Sequence, residues 1–114
     1  MRGGDIIPGA RPQSDGQIKN RPALVLCSVR PFNDLLVCGI SSQLRQAVEG
    51  FDETISTGDP DFDGTDLAVA SLIRLGFVTT VPLSAVKGSI GAVNATRHRR
   101  LLGTLAGYLT SQAR

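Results

Sequence analysis

Two apolar segments lie on either side of a short polar turn in the first half of the chain. Arg21–Val29 has the sequence RPALVLCSV and Leu35–Ser42 the sequence LLVCGISS, and both are rich in the side chains that favour β-strands. Between them lie Pro31, Asn33 and Asp34, which favour a tight turn. The sequence therefore predicts a β-hairpin.

The chain beyond the hairpin predicts more short strands and then one helix. The further strand segments are Val48–Ser56, Leu67–Leu75, Phe77–Val81 and Val86–Val93. Gly76 is expected to break one strand from the next, and polar loops are expected at Gly9–Asn20 and Thr57–Asp66. Asn94 is a good helix N-cap, and four leucines after it share one helical stripe: Leu101, Leu102, Leu105 and Leu109. This pattern predicts a mainly β protein, a small and strongly bent sheet or barrel with a C-terminal α-helix.

The length and the charge distribution limit the function. A chain of 114 residues predicts a single domain, residues 1–114, and argues against an elaborate cofactor-binding enzyme. Its apolar runs are too short to cross a bilayer, and no secretory signal pattern opens it, so we expect a cytoplasmic protein with no membrane partner. The net charge is +2, but seven of the ten acids lie between Glu49 and Asp66, and ten of the twelve cations are arginine. Because the acids are concentrated in one segment, the arginines elsewhere could form a basic face that binds phosphate.

Several other features predict no chemistry. Cys27 and Cys38 are symmetric about the turn and could face each other across the hairpin, but a cytoplasmic chain predicts reduced, buried thiols. The run Asp59–Gly64 is similar to the start of a calcium loop, but Leu67 and Ala70 occupy later ligand positions. We therefore interpret it as an acidic surface loop and expect no metal site.

The start of the predicted helix is strongly basic. His98 is the only histidine, and we interpret it as a surface residue rather than a catalytic one, because no Gly-x-Ser-x-Gly motif accompanies it. Arg97, Arg99 and Arg100 oppose the helix dipole at this end, which suggests contact with a partner. A solvated face is the preferred interpretation.

One end of the predicted hairpin collects polar side chains. Residues 21 and 44 are symmetric about the turn, so antiparallel pairing brings Arg21 close to Ser41 and Ser42, with Gln43 next in the chain. A guanidinium, two hydroxyls and an amide suit a phosphate or another oxyanion. Composition alone favours the alternative that these are strand-end side chains facing water.

Three stretches of the sequence carry a resemblance to a known family. They are Gly4–Ile7 (GDII) with Asn20–Leu26 (NRPALVL), then Ile40–Gln43 (ISSQ) and, more weakly, Ser71–Leu75 (SLIRL). In this order and spacing, and with the terminal helix, the chain resembles the MazF/PemK toxins over nearly its whole length.

The resemblance implies both a fold and an activity. The fold would be an SH3-like β-barrel with a C-terminal helix, α+β in some schemes, assembled as a homodimer. The activity would be that of a type II toxin, a metal-independent and cofactor-free endoribonuclease restrained by an antitoxin. It would cut single-stranded RNA, including mRNA, through attack of the 2′-hydroxyl, leaving a 2′,3′-cyclic phosphate and a 5′-hydroxyl. Arg21 and Ser41 would be catalytic. The expected substrate-binding residues are Asp15, Lys19, Asn20, Ser42, Gln43 and Arg74.

One departure from the family concerns an acidic residue. Some members carry an acid on the strand matched to Ala70–Leu72, where it can act as a base, but Ser71 and Leu72 occupy those positions here. Either Asp15 acts as the base, or Arg21 works with less help, or the chain is a catalytically inactive module that binds RNA or antitoxin. A small interaction domain with no nucleic-acid role is the remaining alternative.

Overall fold

The computed structural model of the protein describes residues 1–12 and 18–114, and only the backbone of residues 10–12 and 18–20. Its strands are β1 (Asp5–Ile7), β2 (Ala10–Pro12), β3 (Ile18–Asn20), β4 (Ala23–Val29), β5 (Asp34–Ser41), β6 (Glu53–Ile55), β7 (Ser71–Val81) and β8 (Gly91–Ala92). The helix α1 (Ala95–Ser111) follows β8. The connections contain short 3-10 helices at Leu44–Gln46, Asp63–Thr65 and Leu83–Ala85.

Six strands form one curled antiparallel sheet in the order β6-β7-β5-β4-β1-β8, while β2 and β3 pair separately. This half-barrel with one helix confirms the predicted strongly bent sheet and terminal helix. The loop predicted at Gly9–Asn20 is wrong in part, because the described backbone at both of its ends is paired as β2 and β3. In the described part of the chain, no helix is long and apolar enough to cross a membrane.

The predicted hairpin is confirmed as β4 and β5, but its register separates the cysteines. The pairing shifts between Val25 and Cys27, which places Cys27 opposite Leu36 and Cys38 opposite Leu24. The alternative that the two cysteines face each other is therefore wrong, and no disulfide joins them. Cys38 is buried as predicted, whereas the bulge leaves Cys27 exposed, contrary to the prediction.

The longest strand, β7, passes through the predicted break. It begins at Ser71 rather than Leu67 and continues through Gly76 to Val81. Its pairing with β5 shifts between Arg74 and Val78, so the extra residues are accommodated as an irregularity of the strand. The glycine therefore marks a bend inside one strand rather than the end of a strand.

Two predicted strands are shorter than expected. Within Val48–Ser56 only Glu53–Ile55 is a strand, because the preceding residues form a turn in which the Asp52 carboxylate accepts from the Val48 N–H at 2.9 Å. Within Val86–Val93 only β8 is a strand. There Gly91 lies against the 3-10 helix Asp63–Thr65, and a Cβ atom would overlap the Gly64 carbonyl oxygen.

Apolar side chains form a cluster on each face of the sheet, as the alternation along the strands requires. The larger cluster consists of Ile6, Leu24, Leu26, Cys38, Ile40, Ile55, Phe62, Ile73, Leu75, Val93 and Leu101. The smaller consists of Ile7, Ala23, Val25, Leu35 and Val37. Leu101 of α1 is fully buried with Leu102 and Leu105 packed beside it, but Leu109 is 60% exposed. The predicted leucine stripe is therefore confirmed except at its last member.

The acidic segment and the start of α1 form an ion cluster. The Arg97 guanidinium is buried and donates to carboxylate oxygens of Asp61, Glu53 and Asp59 at 3.0 Å each. Arg100 donates to both oxygens of Glu53 at 2.8 Å. The interpretation of a solvated arginine face is thus wrong for Arg97, and that of a surface acidic loop is wrong for Asp61, because both side chains are buried. Arg99 and Arg100 are exposed, as predicted.

The cap of α1 is the one the sequence predicts. The Asn94 side-chain oxygen accepts from the Arg97 N–H at 2.8 Å, and the Asn94 N–H donates to Asp61 at 3.1 Å. Asp61 thus holds both the backbone and the buried arginine of the first turn. Carboxylates near this end of a helix offset its dipole, which removes the conflict caused by the arginines.

The ion cluster predicts a loss of stability in acid. Burial raises the pKa of Asp61, but hydrogen bonds from Arg97 and the backbone outweigh it, so the pKa lies below its ordinary value of 3.8. A depressed folded-state pKa contributes stability that is present above the unfolded pKa and lost as pH falls through the folded value. We expect the urea midpoint to fall below about pH 4, in line with a carboxyl pKa near 3.9 in the unfolded chain. The same titration of Asp61→Asn should show a smaller decline, and equal declines would contradict this assignment.

Candidate functional site

Arg21 lies in the short connection between β3 and β4. Its backbone N–H donates to the Gly9 carbonyl oxygen at 2.7 Å, and the next carbonyl, that of Pro22, accepts from the Ile40 N–H at 3.3 Å. These bonds tie the residue to the β1–β2 connection on one side and to β5 on the other. The arginine side chain therefore starts from a backbone that is fixed at the edge of the sheet.

Ser41 ends β5 beside this connection. The hairpin pairs Ala23 with Gly39, and the same register extended by two residues sets Arg21 next to Ser41, as the sequence predicts. The Ser41 hydroxyl oxygen accepts from the Gln43 N–H at 3.1 Å. A serine hydroxyl has one proton to donate as well as lone pairs, so its O–H remains able to donate to a ligand.

Arg21, Ser41 and Ser42 line one cleft of about 730 Å³. Its other walls are Pro8, Gly9, Pro22, Ile40, the segment 66–69, Ser71, Ala85, Lys87 and Ile90. Most of this lining is apolar. Among the described side chains, the ionisable ones on it are Arg21, Asp66 and Lys87, which are two cations and one carboxylate.

The Nε atom of Arg21 is buried and has no hydrogen-bond partner in residues 1–12 and 18–114. No carboxylate of the same residues forms an ion pair with it either. A buried donor without an acceptor is unfavourable by about 1–3 kcal/mol, more when it is charged. An anion with several oxygens would satisfy it, and phosphate matches a guanidinium well.

The other site residues predicted from the sequence either lie outside the cleft or have side chains that the structure does not describe. Gln43 is exposed, precedes the 3-10 helix Leu44–Gln46 and does not line the cleft. Arg74 also lies outside the lining, with its Cζ 4.0 Å from the centroid of the Phe77 ring. Lys19 and Asn20 are on β3, of which only the backbone is described, and Asp15 lies outside the described residues.

Two lining residues, Asp66 and Lys87, are absent from the sequence-based set. Asp66 follows the 3-10 helix Asp63–Thr65, has a left-handed backbone conformation with φ of 58° and lines the cleft. Lys87 is on the connection between the 3-10 helix Leu83–Ala85 and β8. Nothing in their local sequence distinguishes them, because Asp66 is one of seven acids in its segment.

His98 packs inside the fold, away from the cleft. Its Nε2 atom lies 2.8 Å from the carbonyl oxygen of Leu26, and a side chain at Gly3 would overlap the imidazole ring. The residue is half-buried rather than on the surface as predicted. It joins α1 to β4 and to the start of the chain, which is a structural role. In the part of the chain that the structure describes, no group of three or more histidine, cysteine or acidic side chains is arranged to hold a metal ion.

Comparison with known proteins gives the family. Residues 2–109 match the sequence model of a protein family, which is described as PemK-like, MazF-like toxin of type II toxin–antitoxin system. Among solved structures, the Mycobacterium tuberculosis toxin MazF-mt6 has a similar fold, with a TM-score of 0.63 and 18% sequence identity over 96% of this chain and 97% of that chain. No curated protein matches the chain in sequence. With the family model covering nearly all of the chain and the fold agreeing, the protein belongs to the PemK-like, MazF-like toxins of type II toxin–antitoxin systems.

Proposed function

We propose that the protein is an endoribonuclease that cuts single-stranded RNA, with Arg21 and Ser41 as its catalytic residues. The observation that carries the proposal is that Arg21, whose buried Nε has no partner within the described residues, lines the same cleft as Ser41. Both groups can donate hydrogen bonds. Backbone bonds fix Arg21 and Pro22 at the sheet edge, and the Ser41 hydroxyl oxygen accepts from the Gln43 N–H. Donors that are fixed before the reaction stabilise charge that develops on phosphate oxygens.

The proposed reaction uses the RNA as its own nucleophile. The 2′-hydroxyl attacks the adjacent phosphorus, the bond to the 5′-oxygen breaks, and a 2′,3′-cyclic phosphate and a 5′-hydroxyl result. Negative charge builds up on the non-bridging oxygens, where Arg21 and Ser41 would donate. Positioning and charge stabilisation are the protein's main tasks in this scheme, and neither requires a metal or a cofactor.

Single-stranded RNA fits this cleft better than a duplex. In-line attack requires the sugar and base to leave the stacked geometry of a helix, which unpaired nucleotides do readily. The apolar side chains of Leu67 and Ile90 on the cleft wall suit the face of an unstacked base. The cations Arg21 and Lys87 suit the backbone phosphates on either side of it.

We also propose a homodimer and an antitoxin as partners, as the family implies, and a cytoplasmic location. Exposed apolar side chains of β7 and its surroundings support an interface, since Phe77 is 54% and Val78 45% exposed. Acidic side chains of an antitoxin would compete with RNA for the cleft cations. Occupation of the cleft would then explain how the toxin is restrained.

Incubation with unstructured RNA tests the activity. We expect products with 2′,3′-cyclic phosphate and 5′-hydroxyl ends in the presence of EDTA, identified by mass spectrometry. An oligonucleotide with a 2′-deoxy sugar at the cleaved position should stay intact, because it lacks the nucleophile. Binding without cleavage would instead support the inactive RNA-binding module, for which the replacement of the family's acid by Ser71 and Leu72 is the argument.

Lys87→Ala should weaken RNA binding by removing one phosphate contact from the cleft. For single strands, each contact contributes about 0.7 to the slope of log K against log salt, so we expect the slope to flatten by about that amount. Fluorescence anisotropy with a 2′-deoxy-substituted, uncleavable RNA measures it. Arg30→Ala, in the turn at the far end of the hairpin, is the matched control. Equal effects of the two changes would contradict a specific role for Lys87.

A further inference from the structure

The proposed reaction leaves one proton without an acceptor. The attacking 2′-hydroxyl must lose its proton as the bond to phosphorus forms, and a positioned base accelerates such a transfer by about 10²–10⁴-fold. Arg21 is a cation and Ser41 a neutral donor, so neither can accept it at neutral pH. The following inference about this base rests on the proposed function.

Most of the carboxylates in the described residues already accept hydrogen bonds. Hydrogen bonds from backbone or arginine donors reach those of Asp5, Asp52, Glu53, Asp59 and Asp61. Four others in the described residues have no such partner: Asp34, Glu49, Asp63 and Asp66. Of these four, Asp66 alone lines the cleft that contains Arg21 and Ser41.

The backbone of Asp66 is held firmly on both sides. Thr65 before it is fully buried, and its hydroxyl donates to the Phe62 carbonyl oxygen at 2.5 Å and accepts from the Leu67 N–H at 3.2 Å. Gly91 of β8 packs directly against Thr65. The backbone that carries Asp66 is therefore fixed at the wall of the cleft, and the side chain itself is exposed there.

The electrostatic setting also suits a base. Asp66 shares the cleft with Arg21 and Lys87 but forms an ion pair with neither within the described residues. An acid bonded tightly to Arg21 would compete with the phosphate for the guanidinium. Asp66 leaves Arg21 without a carboxylate partner within the described residues.

We propose that Asp66 is the general base of the reaction. Its carboxylate takes the proton of the 2′-hydroxyl while the 2′-oxygen forms its bond to phosphorus. The bond between phosphorus and the 5′-oxygen breaks, and that oxygen keeps the electron pair and takes a proton from water. The carboxyl group then returns its proton to solvent. Asp66 thus supplies, from the connection before β7, the acid that is missing from the strand itself.

Asp66→Asn tests the proposal with little risk to the fold, because asparagine tolerates the left-handed conformation that Asp66 adopts. We expect kcat/KM for RNA cleavage to fall about 10²–10⁴-fold, with the affinity for uncleavable 2′-deoxy-substituted RNA retained or increased. The acidic limb of the pH profile of kcat/KM should disappear. Asp66→Glu should recover part of the rate together with that limb, which a merely structural role would not produce.

Two control variants make the result specific. Asp63→Asn changes an exposed acid of the 3-10 helix that precedes Asp66, outside the cleft, and it should cleave at the wild-type rate. Asp15→Asn removes the base suggested by the sequence. A loss of activity in Asp15→Asn with none in Asp66→Asn would overturn the proposal.

The outcomes separate this inference from the activity itself. If the wild-type protein yields no cyclic-phosphate ends, the proposed function fails and the role of Asp66 falls with it. If the wild-type protein cleaves RNA and Asp66→Asn cleaves it equally well, the role of Asp66 alone is overturned. If cleavage drops but the acidic limb persists in Asp66→Asn, the residue is not the base.

Discussion

Arg21→Ala should lose nearly all RNA cleavage and leave the fold intact. Removing one charge-stabilising donor from an active site lowers kcat by about 10²–10³-fold, and Arg21 also provides charge for binding, so we expect the loss in kcat/KM to reach about 10³-fold. Steady-state cleavage of an unstructured RNA with a fluorophore and a quencher measures it. Ser41→Ala should lose less, since it removes one neutral hydrogen bond worth about 1–3 kcal/mol.

The Arg21→Ala variant should lose activity without losing stability. The buried Nε of Arg21 has no acceptor within the described residues, so its removal takes away an unsatisfied donor rather than a contact. We expect the melting temperature of Arg21→Ala to be unchanged or raised. Cleavage at the wild-type rate would remove the proposed site. A large drop in melting temperature would show that the arginine holds the fold instead.

Arg97→Ala is expected to have the largest effect on stability. The substitution leaves the carboxylate of Asp61, which is 7% exposed, without its main partner, and breaking a buried ion pair in this way costs about 3–5 kcal/mol. Urea denaturation measures the change in the free energy of unfolding. Because a protein of this size is stable by only about 5–15 kcal/mol, part of the variant should be unfolded at moderate temperature.

A double-mutant cycle and a neighbouring arginine provide the controls. Asp61→Ala combined with Arg97→Ala should cost much less than the sum of the single changes, since each removes the group that the other leaves unpaired. Arg99→Ala, at an exposed position of the same turn, should change stability by less than about 0.5 kcal/mol. A loss of under about 1 kcal/mol for Arg97→Ala would contradict the structural role of the cluster.

Local patterns were sufficient for the elements that depend on neighbouring residues. The hairpin of β4 and β5 follows from its turn, and this was enough to place Arg21 at the same end as Ser41 and Ser42. The observed register, which includes a shift between Val25 and Cys27, then sets Arg21 next to Ser41 rather than residue 44. The helix follows from the Asn94 cap and the leucine spacing. Each of these rests on contacts over a few residues or across one turn, which is the range over which periodicity and capping are informative.

Long-range packing decided the features that were missed. Arg97 meets Asp61 across 36 residues of sequence, so no local pattern shows that this arginine is buried while Arg99 is exposed. The exposure of Cys27 depends on a shift of register within β4, which alternation alone does not show. Asp66 reaches the cleft only because the 3-10 helix before it packs against β8. The candidate base therefore depends on tertiary contacts that its own segment does not encode.

The contact between Gly91 and the 3-10 helix Asp63–Thr65 has an evolutionary consequence. A methyl group at position 91 would overlap the backbone of Gly64 and Thr65. The 3-10 helix that precedes Asp66 can therefore lie this close to β8 only because residue 91 has no side chain. Gly91 has no functional group, but a substitution there should still be poorly tolerated. Among sequence variants, inactive proteins should arise at this glycine as readily as at the proposed catalytic residues Arg21 and Ser41, although Gly91 is not among the residues that line the cleft.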